Sequence, residues 1–174
     1  MKWNKKFVYP KSIRSTENGI RRYLIGEKKL PSVTSILDAT KSEEDKAALA
    51  IWRERTGLKE SEAIIKAASS RGSKMHAYLE SFLLGQENLS FFDEDEQYKK
   101  MAKQIIEKGL INRFEEVWGV ECTLYKPDSY SGTCDAVGIF DGCESIIDFK
   151  QSNKPKKFEY IDSWFLQTAA YSLA

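Results

Sequence analysis

From about residue 117 the apolar residues of this chain stop recurring at helical spacing and begin to alternate. That change constrains the fold more than any other feature. Residues 117–125 read as one strand, Pro127-Asp128 as a turn and residues 130–140 as a second strand. Asp141-Gly142 is a strong tight-turn signal, and residues 143–150 read as a third strand. Asn153-Lys-Pro155 interrupts the alternation, and residues 158–174 read as a helix. The result is an antiparallel three-stranded meander followed by a helix. A two-residue loop at Asp141-Gly142 pairs positions whose numbers sum to about 283, which sets Asp135 opposite Asp148.

The upstream sequence is mostly helical. Two short β-type runs, residues 7–9 and 20–25, flank the hairpin signal Asn18-Gly19. Leu30-Pro-Ser-Val-Thr34 opens a short helix with Ser32 or Thr34 as its cap. Ser42-Glu-Glu-Asp45 has capping-box form, and Gly57 suits the end of the helix it starts. A longer helical pattern covers residues 60–84 and stops at Gly85. Ser69-Ser-Arg-Gly72 predicts a break within it, because Gly and Ser are poor helix-interior residues. Met75, Leu79, Phe82 and Leu83 mark its buried face. Asp93-Glu-Asp-Glu96 suits the start of a further helix running to about residue 113, through the macrodipole. The expected organisation is an amino-terminal hairpin (1–29), a helical region (30–115) and a meander followed by a helix (116–174) that carries the candidate chemical residues.

Composition narrows the class. With 174 residues and 41% hydrophobic content, one core is the default. No apolar run approaches the ~20 residues of a membrane span, and the basic start lacks the apolar stretch of a secretory signal. Three cysteines without a C-x-x-C pair predict free thiols on strands and a cytoplasmic setting. A net charge of +1 shows no global basic excess, so any nucleic-acid contact must be local.

Asp148 and Lys150 are two apart on a strand and leave the same face, while Ile147 and Phe149 point to the core. Cross-strand Cβ atoms lie roughly 4.5–5.5 Å apart. Two carboxylates that close are unfavourable unless a cation sits between them. A surface Asp–Lys pair would explain Asp148 with Lys150 but leaves Asp135 without a reason. Carboxylates with a nearby lysine suit Mg²⁺-assisted phosphodiester hydrolysis. His76 is the chain's one histidine, and Glu80, a turn on, could orient its ring or approach a metal. Gln167 and Tyr171 share a helix face, where the amide could hold Lys150 or a metal-bound water and the phenol could reach a phosphate. Lys150, Lys154, Lys156 and Lys157 form a basic strip beside the carboxylates.

These residues resemble the PD-(D/E)XK nuclease superfamily in its RecB-like branch. The matching motifs are Gly72…His76…Leu79-Glu80, Gly132-Thr-Cys-Asp135, Asp148-Phe-Lys150 and Gln167…Tyr171. Leu30-Pro-Ser-Val-Thr34, Trp52 with Arg55, and the run from Ile147 to Lys156 are similar to segments of the mitochondrial genome maintenance exonuclease group and its bacteriophage relatives. The resemblance covers about residues 30–174 and leaves out the hairpin. It implies a restriction-endonuclease-like three-layer α/β/α core with an amino-terminal helical arch. It implies Mg²⁺ or Mn²⁺ held by His76, Asp135, Asp148 and the Phe149 carbonyl, with Lys150 positioning the attacking water. Gln167 and Tyr171 would support Lys150 and the DNA phosphate. Ser32, Thr34, Arg71, Gln151, Ser152, Lys154, Lys156 and Tyr171 would contact DNA.

The expected function is a metal-dependent exonuclease acting on single-stranded DNA ends, of bacteriophage type and working in the host cytoplasm. A structure-specific endonuclease and an inactive DNA-end-binding subunit are the alternatives. In the superfamily a further strand follows the Gln167 helix and lies beside the strand of Asp148. A separate carboxy-terminal fragment, or a second copy of the chain, is therefore expected to cover that edge.

Overall fold

The alternating segment folds into long strands paired in the expected register. The computed structural model describes residues 1–86 and 97–174. Its strands are β1 (Lys2–Trp3), β2 (Ile13–Glu17), β3 (Ile20–Ile25), β4 (Lys28–Pro31), β5 (Phe114–Lys126), β6 (Tyr130–Phe140) and β7 (Cys143–Ile147). Its helices are α1 (Val33–Ala39), α2 (Glu43–Thr56), α3 (Leu58–Leu83), α4 (Gln97–Ile105) and α5 (Asp162–Ser172).

β6 and β7 pair antiparallel from Phe140↔Cys143 to Ala136↔Ile147. Asp141 and Gly142 both have positive φ, 48° and 75°, the conformation a two-residue hairpin turn needs to match strand twist. β5 pairs antiparallel with β6, and β1 adds a short parallel strand on the other side of β5. The sheet is therefore mixed, in the order β1-β5-β6-β7, and has one strand more than the meander predicted. The Trp3 indole anchors β1 by donating to the Leu83 carbonyl at 3.1 Å.

Two apolar layers sandwich this sheet. On one face Met75, Leu79 and Leu83 of α3, with Ala102, Ile106 and Leu110 of the second helical segment, bury Phe114, Val117, Ala136 and Phe149. On the other, Val33 of α1 and Tyr171 of α5 pack with Trp118, Cys122, Cys134 and Val137. The expected α/β/α layering is thus present. Full burial of each large apolar side chain contributes about 1.5–3 kcal/mol, and that drives the layering. Cys122, Cys134 and Cys143 lie on successive strands as free thiols.

Ser32 caps α1, its Oγ accepting from the Ser35 amide, and Ser42 caps α2 in the same way through Asp45. Four local expectations are corrected. Residues 7–9 form no strand: a two-residue turn at Asn18-Gly19 joins strands that abut it, so β2 takes the place beside β3. Tyr9 instead packs against the second core layer. The break at Ser69–Gly72 is absent, and α3 runs through it unbroken for 26 residues. A glycine costs a helix about 1 kcal/mol, which the buried Met75, Leu79 and Leu83 outweigh. β7 stops at Ile147 rather than at Lys150, for a reason that lies in the site. The second helical segment leaves α-geometry at Ile105 and closes with a π-type turn, Ile106–Leu110. The expected start of that segment at Asp93–Glu96 lies outside the described residues.

Candidate active site

β7 ends early because Asp135 intercepts its backbone. The Phe149 amide, next in line for the ladder, donates instead to Asp135 Oδ2. The chain bends off the sheet at the point where Asp148 and Lys150 leave it. The same carboxylate meets His76 of α3, with Oδ1 2.7 Å from Nδ1. One aspartate thus joins β6, α3 and the segment after β7. Asp135 orients the imidazole, one of the two roles the sequence left open for Glu80. Its hydrogen bond raises the His76 pKa above the usual imidazole range, against the opposing effect of burial.

Asp148 has a side chain only 7% exposed. Oδ1 accepts from Gln167 Nε2 at 3.1 Å. Oδ2 is buried without a hydrogen bond and has only the ion pair to the Lys150 ammonium. Burial pushes the Asp148 pKa up, while Lys150 pulls it down. Gln167 also donates to the Tyr171 hydroxyl at 2.9 Å, so its amide holds Asp148 rather than Lys150. Burial raises the Tyr171 pKa, which keeps the phenol neutral.

Glu121 belongs to the site and was missed. It sits on β5 directly across from Asp135, between the pairs Val120↔Ala136 and Cys122↔Cys134. Its φ of 50° is a conformation that non-glycine residues rarely adopt, and strain of this kind collects at functional sites. Carboxylate oxygens of Glu121 and Asp135 and a ring nitrogen of His76 all lie within 4.8 Å of one another. Glu121 keeps an exposed side, but partial loss of hydration, with Asp135 and Glu80 nearby, raises its pKa to about 7. A two-residue turn at Pro127-Asp128 would have set Glu121 opposite Cys134; the loop has three residues, 127–129, so Lys126 pairs with Tyr130 and Glu121 falls opposite Asp135.

These groups line one polar cavity of about 340 Å³, together with Ser32, Thr34, Lys150, Gln167 and Tyr171. Ser32 is buried, its Oγ committed to capping α1. Arg71 and Gln151 are not among the lining residues. Arg71 Nε donates to Gln151 Oε1 at 2.8 Å, and Gln151 Nε2 donates to the Ala68 carbonyl at 3.0 Å, a tie between α3 and the segment after β7. Ser152 donates to the Lys154 carbonyl at 2.6 Å. Lys154, Lys156 and Lys157 are exposed on the following loop.

Gly132 lines the cavity under Tyr171. A Cβ there would lie 2.8 Å from the Tyr171 hydroxyl and closer still to its ring. Gly132→Ala is expected to displace Tyr171 and, through Gln167, to misplace Asp148. Misplacement of about 1 Å can cost 10²-fold in rate. Cleavage kinetics beside a Mn²⁺ titration check this: kcat should fall by about that factor with metal affinity little changed.

The donor set fits a divalent cation. Two facing carboxylates and an imidazole bring their ligand atoms within 4.8 Å of one another, and the Asp148–Lys150 ion pair lines the same cavity. Fold and site together define an α/β protein with a carboxylate–histidine cavity suited to such a cation. The chain is 31% identical to human mitochondrial genome maintenance exonuclease 1 over 153 residues, 82% of this chain and 42% of that protein. It is 32% identical to the mouse protein of the same name over 137 residues, 73% of this chain and 38% of that protein. The chain therefore spans about two-fifths of the length of these relatives. No family model matches it. No helix among the described residues is long and apolar enough to cross a membrane.

Proposed function

We propose that this chain is a divalent-metal-dependent DNA exonuclease of PD-(D/E)XK type that hydrolyses phosphodiester bonds from single-stranded ends. The observation that carries the reading is the cluster of His76, Glu121 and Asp135, whose ligand atoms lie within 4.8 Å of one another in the cavity that Asp148 and Lys150 also line. The similarity to proteins named as exonucleases supports it. His76, Glu121, Asp135 and Asp148 would hold Mg²⁺ or Mn²⁺, which when bound lowers the pKa of water and polarises a phosphoryl oxygen. Lys150 orients the attacking water and offsets negative charge that builds on the phosphate. Gln167 fixes the carboxylate plane of Asp148, and Tyr171 fixes Gln167. α2 buries no residue and packs chiefly against α3, which suits a wall or arch along which a strand can pass.

End-labelled single-stranded DNA tests the reading, incubated with Mg²⁺, Mn²⁺ or EDTA. Cleavage with either cation and none with EDTA is expected, and a circular single strand should stay intact. Cutting of the circle would make the enzyme an endonuclease. No cleavage with any divalent ion would sink the proposal.

His76→Ala is expected to raise the cation concentration needed for half-maximal cleavage by at least about tenfold, the scale on which losing a group that supports a metal site weakens metal affinity. An unchanged titration would remove His76 from the ligand set. The outer edge of β7 pairs with no described strand. Open edges invite pairing, and we assign this one to a second copy of the chain. A monodisperse monomer with full activity would refute that assignment.

A further inference from the structure

The amino-terminal hairpin lies outside the resemblance and outside the carboxylate chemistry, yet it closes part of the same cavity. Arg14, Arg21 and Tyr23 line it alongside His76, Asp135 and Asp148. In the β2–β3 register Arg14 lies across from Tyr23, and Thr16 across from Arg21. Strand alternation therefore sets all four on one face of the hairpin. Tyr23 shows which way that face is turned. Its side chain is buried, and its hydroxyl accepts from Thr133 Oγ1 of β6 at 3.3 Å.

Arg21 is held on both sides of its backbone. Its N–H donates to Ser35 Oγ at 2.9 Å, and its carbonyl accepts from the Ser32 amide at 2.9 Å. The hairpin is thus tied to the start of α1 at the residue that carries the guanidinium. The side chains of Arg14 and Arg21 are exposed, and neither makes a hydrogen bond or ion pair within the described protein. Arg14 lies near enough to influence Glu121 but not near enough to pair with it.

Unpaired arginines beside three carboxylates need a reason. A phosphodiester entering this cavity meets Asp135, Asp148 and, where it is ionised, Glu121, and each such charge repels it. A cation at the carboxylates answers one part of that repulsion, and the neighbouring phosphates require their own counter-charge. The guanidinium fork matches a phosphate with two parallel hydrogen bonds. A backbone already fixed, as at Arg21, lowers the ordering cost of forming them.

We propose that Arg14 and Arg21 form a phosphate clamp that grips the DNA backbone beside the scissile bond. This makes the hairpin a substrate-binding element, and it rests on the nuclease reading above. The clamp is tested on the full chain with a fluorescent single-stranded oligonucleotide, Ca²⁺ replacing the active cation. The Arg14→Ala/Arg21→Ala double variant should bind about 10- to 100-fold more weakly, the scale of lost charge-assisted contacts. Its log–log salt slope should shrink by roughly 1.4, at about 0.7 for each single-strand phosphate contact. With Mg²⁺ or Mn²⁺, kcat/KM should fall with most of the loss in KM. The paired Arg→Lys variant should recover the slope but only part of the affinity, because an ammonium cannot form the fork. Melting temperature and Mn²⁺ affinity should match wild type.

Unchanged affinity and slope in a double variant whose wild type cleaves DNA would overturn the clamp alone. Lost Mn²⁺ affinity in that variant would also overturn it, by assigning the arginines to Glu121. A wild-type chain that binds Mn²⁺ but neither binds nor cuts the oligonucleotide would overturn the nuclease reading and the clamp with it.

Discussion

Asp148→Asn is expected to lower the cleavage rate at least about 10³-fold, with the fold intact. Removing a single charge-stabilising group costs about 10²–10³ in rate, and here a ligand oxygen is lost as well. The fold should survive because the asparagine oxygen can still accept from Gln167, and because burial already disfavours the ionised Asp148. Lys150→Ala should give a loss of similar size, because it strips the one positive partner of Asp148 Oδ2. Single-turnover cleavage with saturating Mn²⁺, beside thermal melting, separates chemistry from stability. Near-wild-type turnover in either variant would remove these residues from the reaction.

Asp135 carries the second large effect because it serves the fold and the site together. Asp135→Ala would leave the Phe149 amide buried without its acceptor and release His76. An unsatisfied buried donor costs about 1–3 kcal/mol, so this variant should melt early. Asp135→Asn keeps an oxygen for that amide while losing the charge. It should fold nearly as well as wild type yet bind Mn²⁺ at least about 10²-fold more weakly, as expected when a metal site loses a supporting group. Melting curves beside calorimetric Mn²⁺ titrations distinguish the two roles. Equal stability of the Ala and Asn variants would show that the Phe149 contact matters little to the fold. Unchanged Mn²⁺ affinity in Asp135→Asn would remove Asp135 from the ligand set.

Local chemistry explains what was legible beforehand. Asp141-Gly142 fixed the β6–β7 register because a two-residue turn permits few backbone geometries, and that register holds from Cys143 to Ile147. Ser32 and Ser42 announced their helices because a hydroxyl that accepts from an amide three residues on is a local contact. Alternating and helical apolar spacing told the later strands from the helices, since spacing decides which face can be buried, while the layering was an implication of the family resemblance.

Long-range contacts decided the rest. Whether α3 broke at Gly72 depended on burial that helix propensity does not contain. That β7 ends at Ile147 depended on a carboxylate fourteen residues away in sequence capturing the Phe149 amide. Glu121 entered the site only when a third strand brought a left-handed residue opposite Asp135. Arg14 and Arg21 joined the cavity because Tyr23–Thr133 and Arg21–Ser35 contacts turn the hairpin toward it. Neighbouring residues and steric limits were enough for the two helix caps, the Asn18-Gly19 and Asp141-Gly142 turns and the β6–β7 register as far as Ile147. Which distant side chains share the cavity depends on how the layers pack, and no local pattern contains that.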